Sequence, residues 1–112
     1  MRVDLAKHIY SKIRENGHIT YSEIDAEILT LYTSAALLRA GATSSGSSFA
    51  RRYKQCLPIT EEEKMKLLKR GAHQLRYQFV YQRTRGTHPI LKRMGDRLCF
   101  TEVGLKVFGQ KT

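Results

Sequence analysis

Apolar residues along this chain recur first at helical spacing and later in alternation. Leu5, Ile9 and Ile13 stand at i, i+4 and i+8 with Tyr10 beside them, so residues 4 to 15 carry one apolar helix face. Asn16-Gly17 closes that helix, because glycine accepts the left-handed conformation of a helix C-terminus, and "HIT" follows as a very short extended piece. Thr20 with Glu23 is a capping box. It predicts a second helix from about Tyr21 to Leu31 with Ile24, Ile28 and Leu31 inward. "SAALLRAG" either extends it or forms a short helix of its own before Gly41.

Residues 41–48 hold four serines, a threonine and two glycines, the composition of a flexible linker. The same serines are candidate N-caps, and Phe49, Tyr53 and Cys56 or Leu57 follow at helical spacing. That reading predicts a helix over about 47–56, ended by Pro58, with Arg51, Arg52 and Lys54 around its exposed side. Thr60 with Glu63 forms a second capping box, and Glu61, Glu62 and Glu63 suit the positive end of a helix dipole. This helix is expected to reach about Arg76, with Met65, Leu68, Ala72 and Leu75 inside.

From Tyr77 the period shortens. Tyr77, Phe79 and Tyr81 alternate with Gln78, Val80 and Gln82, a strand-like pattern, and Gly86 and Pro89 punctuate a turn. "ILKRM", Gly95-Asp96 and "RLCF" complete a hairpin with Ile90 or Leu91, Met94, Leu98 and Phe100 inward. Thr101 then caps a last helix, "EVGLKVF", with Val103 and Val107 on one face and Leu105 and Phe108 flanking it. The pattern predicts a mainly helical α+β protein of about five helices, forming one domain over residues 1–112.

Composition adds one informative number. The chain has 20 Lys and Arg against 10 Asp and Glu, a net charge of +10. Residues 1–50 hold five of each sign, so the whole excess lies in residues 51–112. Such asymmetry points to a surface that meets phosphates or another anionic partner. No apolar run approaches the ~20 residues that span a bilayer, and the N-terminal segment is broken by charges, unlike a secretory signal. The expected setting is cytoplasmic, with no membrane partner. Cys56 and Cys99 are far apart and lack metal-ligand spacing, so both are expected to be buried, reduced thiols.

Three stretches carry a family resemblance. "NGHITYSEI" resembles the short strand and capped second helix of winged helix-turn-helix proteins; "RAGATSSGSSFARRYKQ" resembles a turn and recognition helix. "RLCFTEVGLKVF" is similar to a last wing strand that runs into a helix through Phe100, Thr101 and Gly104. The resemblance covers most of the chain. It implies a winged-helix fold with a C-terminal basic β-hairpin as the wing, and double-stranded DNA as the partner. Two departures stand out: the interval from Gly41 to Phe49 is longer than a tight turn, and the helix over 60–76 is inserted before the wing. An alternative register makes that helix the groove reader through Lys64, Lys66, Lys69, Arg70 and Arg76.

In the first register, Ser44, Ser45, Ser47 and Ser48 face a phosphate from a helix N-terminus. Arg51 and Arg52 reach base edges, where arginine makes paired bonds to guanine, and Lys54 meets a phosphate. Arg83, Arg85, Lys92, Arg93 and Arg97 form the grip of the wing. The expected function is a small transcriptional regulator of bacterial, phage or plasmid type that occupies an operator, as a homodimer joined through Leu37, Leu38, Leu105 and Phe108. The alternatives are a module that binds an acidic protein or a ribonucleoprotein, and an RNA-binding protein that stacks bases on Tyr53, Tyr77, Phe79 and Tyr81. The four histidines have no ligand spacing and no phosphate loop follows a strand, so no catalysis, metal or cofactor is expected.

Overall fold

In the computed structural model, which describes residues 4–109, polar capping residues set the helix boundaries. Helix α1 (Leu5–Asn16) begins where the Asp4 carboxylate accepts the Lys7 N–H at 3.1 Å and ends at Gly17, φ 83°. The two-residue strand β1 (Ile19–Thr20) leads straight into α2 (Tyr21–Leu31). The Thr20–Glu23 box forms as expected: the Glu23 N–H donates to Thr20 Oγ1 at 3.2 Å, and the Thr20 N–H donates to the Glu23 carboxylate at 3.0 Å. "SAALLRAG" belongs to a separate helix, α3 (Ser34–Ser44), capped by Thr33. Gly41 lies inside it. Helix α4 (Ser48–Lys54) is capped by Ser47.

Helix α5 (Glu61–Thr84) is the largest departure from the sequence pattern. The alternation at Tyr77–Gln82 predicts a strand, yet these residues continue the helix. Phe79 and Val80 are adjacent and both buried. A strand would send them to opposite faces, whereas a helix stripe takes both, together with Ala72. Thr84 Oγ1 donates to the Val80 carbonyl at 2.7 Å in the last turn, and Gly86, φ 92°, follows the helix.

The hairpin is correspondingly shorter. It consists of β2 (Leu91–Met94) and β3 (Arg97–Phe100), joined by the two-residue turn Gly95-Asp96 as the sequence pattern has it, while the segment punctuated by Gly86 and Pro89 connects α5 to the hairpin and is not a turn within it. Gly95 has φ 66° at the first turn position, where a type II′ turn requires glycine. Helix α6 (Glu102–Phe108) closes the chain. Thr101 caps it, its Oγ1 accepting the Gly104 N–H at 3.1 Å. The protein is thus mainly helical α+β, with six helices and a C-terminal antiparallel hairpin among the described residues.

By its contacts the chain divides into two compact units, Met1–Leu31 with Arg76–Thr112, and Tyr32–Leu75. The first unit holds a three-stranded antiparallel sheet in the order β1-β3-β2, with Ile19 opposite Leu98, Thr20 opposite Arg97 and Leu91 opposite Phe100. Alternation places Ile19, Leu91, Leu98 and Phe100 on one sheet face, and all four are buried. Ile9 and Ile13 of α1, Ile24 and Ile28 of α2 and Phe79 of α5 are buried in this unit too. Each such side chain contributes about 2 kcal/mol relative to exposure. That burial explains how a two-residue strand keeps its place.

The second unit has its own apolar cluster of Leu38, Ala42, Ala50 and Leu67, joined by Phe49, Tyr53, Ile59 and Leu68. Expectations differ from the structure at three apolar positions. Met65 and Met94 are exposed rather than inward, and Leu67 takes the place expected of Met65. The cysteines are free, but Cys56 is exposed and Cys99 half-buried, because the chain turns at Cys56 with φ 60° and Cys99 lies on the outer sheet face.

Candidate nucleic-acid interface

The serine-rich stretch is ordered by its own hydroxyls. Ser44 Oγ donates to the Gly41 carbonyl at 3.2 Å, Ser45 and Ser47 hydroxyls lie 2.9 Å apart, and Ser47 caps α4 through the Ala50 N–H. The Ser44 carbonyl accepts an Arg70 N–H at 2.8 Å. Ser48 is the first helical residue. Within α4, Arg51 and Lys54 are exposed, but Arg52 is committed to an ion pair with Glu63. Glu63 also accepts the Thr60 N–H at 2.9 Å. That backbone bond above all, with Arg52 nearby, holds the Glu63 carboxyl below its ordinary pKa. Arg52 is therefore part of the scaffold of the second unit.

The five basic residues assigned to a wing separate into two groups. Arg83 and Arg85 are not on the hairpin. Arg83 lies in the last turn of α5, donates from Nε to the Tyr10 hydroxyl at 2.9 Å and covers the Phe79 ring at 4.1 Å. Arg85 follows α5 with its guanidinium 4.2 Å from the centre of the Tyr81 ring. Lys92, Arg93 and Arg97 are on the hairpin and exposed. Lys92, Met94, Arg97 and Cys99 share the outer sheet face by alternation, and Arg93 stands at the tip of the inner one. Asp96 lies 3.8 Å from Arg97, a weak exposed pair, and no carboxylate lies beside Lys92 or Arg93 among the described residues.

Sequence reasoning named Tyr77 and Tyr81 as candidate stacking residues but placed them on a strand, and so missed the outer face of α5 that they form in the first unit. Tyr77 and Tyr81 are 53% and 40% exposed, with rings stacked at 5.8 Å and 11°. Arg85 extends the stack, and Gln78 and Gln82 are exposed beside it. The signal was present as the i, i+4, i+8 spacing of Tyr77, Tyr81 and Arg85, hidden by the competing period of two. Of the other candidate stacking aromatics, Phe79 is buried and Tyr53 packs in the second unit's cluster. Of the residues expected at a dimer interface, Leu37 and Leu38 are buried and Phe108 stacks on Tyr10 at 4.4 Å. Leu105 is exposed, as are Val103 and Val107.

Among the described residues no three His, Cys, Asp or Glu side chains come together to hold a metal ion, and no helix is long and apolar enough to cross a membrane. No protein-family model, curated protein or solved structure matches the chain.

Proposed function

We propose that the first unit is a winged-helix DNA-binding module, and that the protein acts as a small transcriptional regulator by occupying duplex DNA. The observation that carries this reading is the sheet order β1-β3-β2: the minimal strand before α2 pairs with the return strand of a hairpin whose exposed charges are Lys92, Arg93 and Arg97. A winged-helix wing needs that pairing, and Lys92 and Arg93, exposed with no carboxylate beside them among the described residues, suit phosphates, while Arg97 has only the weak exposed pair with Asp96.

In this reading the groove helix is the one that leads into the hairpin. The last turns of α5 take that role in place of α4. Gln78 offers the paired donor and acceptor that recognise adenine in the major groove, and Tyr77, Tyr81 and Arg85 supply contacts to phosphate and thymine methyl groups. The residues between α2 and these turns, including α3 and α4, are then an insertion with its own core. Selection from a random duplex library tests the reading. Wild-type protein enriches a sequence, and Gln78→Ala relaxes the preference at one or two positions. Equal recovery of all duplexes, or preference for single-stranded RNA, contradicts it.

A second reading is favoured by one observation. Two exposed stacked tyrosines beside an arginine are the residue types that dominate protein interfaces. A protein partner with an acidic surface would use the same face, and Tyr77→Ala with Tyr81→Ala would then abolish that complex without changing DNA binding.

A further inference from the structure

A cleft of about 590 Å³ opens in the first unit between α1, the end of α5, the residue before β2 and the end of α6. Lys7, Tyr10 and Arg14 follow one another on the same stripe of α1, and Arg83 faces them from α5. Ala6, Ile90 and Phe108 supply apolar wall. Its volume is that of a small-molecule site.

The two arginines are fixed in an unusual way. Arg83 is half-buried, held at Nε by the Tyr10 hydroxyl, with its guanidinium carbon 4.1 Å from the centre of the Phe79 ring. Arg14, also half-buried, donates from Nη1 to the Phe108 main-chain carbonyl at 2.9 Å. Neither has a carboxylate within ion-pair distance among the described residues, in contrast to Arg52 and Arg76, which pair with Glu63 and Asp25. Asp4 stands at the rim, but its Oδ1 accepts the Lys7 N–H as the cap of α1. Partly desolvated guanidinium groups positioned by a hydroxyl and a main-chain carbonyl keep terminal N–H donors for an oxyanion, and two of them with Lys7 leave a positive excess to be met.

We propose that this cleft binds a small organic oxyanion, a carboxylate or phosphate carried on an apolar body. The oxyanion sits between Arg14 and Arg83 with Lys7 at the rim, and the body lies on Phe108 and Ile90. The site requires no DNA binding and stands independently of the function proposed above.

The test is a titration of the full chain with benzoate and with phenyl phosphate, chloride serving to hold ionic strength constant, read by the Arg Nε–Hε NMR signals and by thermal midpoint. The proposal expects saturable movement of the Arg14 and Arg83 signals by at least one of the two probes, and a rise in midpoint. Arg83→Lys keeps the charge but not the fork, and weakens binding about tenfold. Lys7→Ala, at an exposed position, weakens it less and leaves the fold intact, whereas Lys92→Ala on the hairpin leaves it unchanged. Non-saturating shifts, equal effects of chloride, or signals that move only on the hairpin overturn the proposal. So does displacement of the bound anion by duplex DNA, which would make the cleft a backbone-phosphate contact.

Discussion

Gly41 and Gly71 meet where α3 and α5 cross in the second unit. A Cβ on Gly41 would stand 2.1 Å from the Leu67 carbonyl oxygen, and one on Gly71 would stand 2.0 Å from the Leu37 carbonyl oxygen. Each glycine lets one helix touch the backbone of the other. Both lie inside helices, where alanine is ordinarily favoured by ~1 kcal/mol. Here the obstruction is main chain and cannot rotate away, so repulsion outweighs propensity. Gly41→Ala and Gly71→Ala are each expected to destabilise the protein by about 2 to 4 kcal/mol, measured as a lower midpoint in urea. A stabilised Gly71→Ala would refute the close crossing.

The two capping boxes predict a pH dependence. Glu23 and Glu63 both titrate below their ordinary value, chiefly because each accepts a backbone N–H, from Thr20 and Thr60 respectively. A carboxyl with a depressed folded-state pKa stabilises the fold above its unfolded pKa. That contribution is lost as pH falls through the folded value. Thermal midpoint should therefore decline as the solution is acidified through and below the usual carboxylate range. Glu23→Gln with Glu63→Gln keeps an acceptor in each box and should flatten that decline.

Gly95 serves the hairpin turn. A substitution there forces φ 66° on a residue with a Cβ, at a cost of about 1 kcal/mol. Nothing crowds the position, so Gly95→Ala should lower the thermal midpoint slightly without unfolding the protein. Because Lys92 and Arg97 are presented by this hairpin, the variant should weaken DNA binding more than its stability loss explains.

Tyr77 and Tyr81 are expected to behave as surface residues. Replacing both with alanine removes their mutual stacking, about 0.5 kcal/mol or slightly more at an exposed site, and should change the midpoint little. The same variant should reduce affinity for the enriched duplex at least fivefold. A large loss of stability would place these rings in a core.

Much of the local structure was legible in the sequence because it is determined locally. Thr20, Ser47, Thr60 and Thr101 each meet their own helix within three residues, and the pattern at Leu5, Ile9 and Ile13 needs no distant partner. What failed depended on competition between periods or on remote contacts. Tyr77, Phe79 and Tyr81 satisfy a period of two, and only the joint burial of Phe79 with Val80 decides for the helix. That single misreading moved Arg83 and Arg85 onto the hairpin.

The division into two units was also hidden. It crosses α5 between Leu75 and Arg76 within an unbroken helix, with no glycine, proline or change in composition at the boundary. Arg52 shows the same limit for the site: its partner Glu63 lies eleven residues away in another helix, so its spacing alone resembled a base reader. The outer charges of the hairpin, by contrast, followed directly from alternation once the turn was placed at Gly95-Asp96.

The role of the hairpin is tested most directly by comparing two pairs of substitutions in duplex binding over a salt series: Lys92→Ala with Arg97→Ala on the hairpin, and Arg51→Ala with Lys54→Ala on α4. If the wing grips DNA, the hairpin pair lowers affinity and reduces the log–log salt slope by about 0.9 for each phosphate no longer neutralised, while the α4 pair changes both less. An unchanged slope in the hairpin pair, together with a large loss of affinity in the α4 pair, would contradict the assignment of the interface to the first unit.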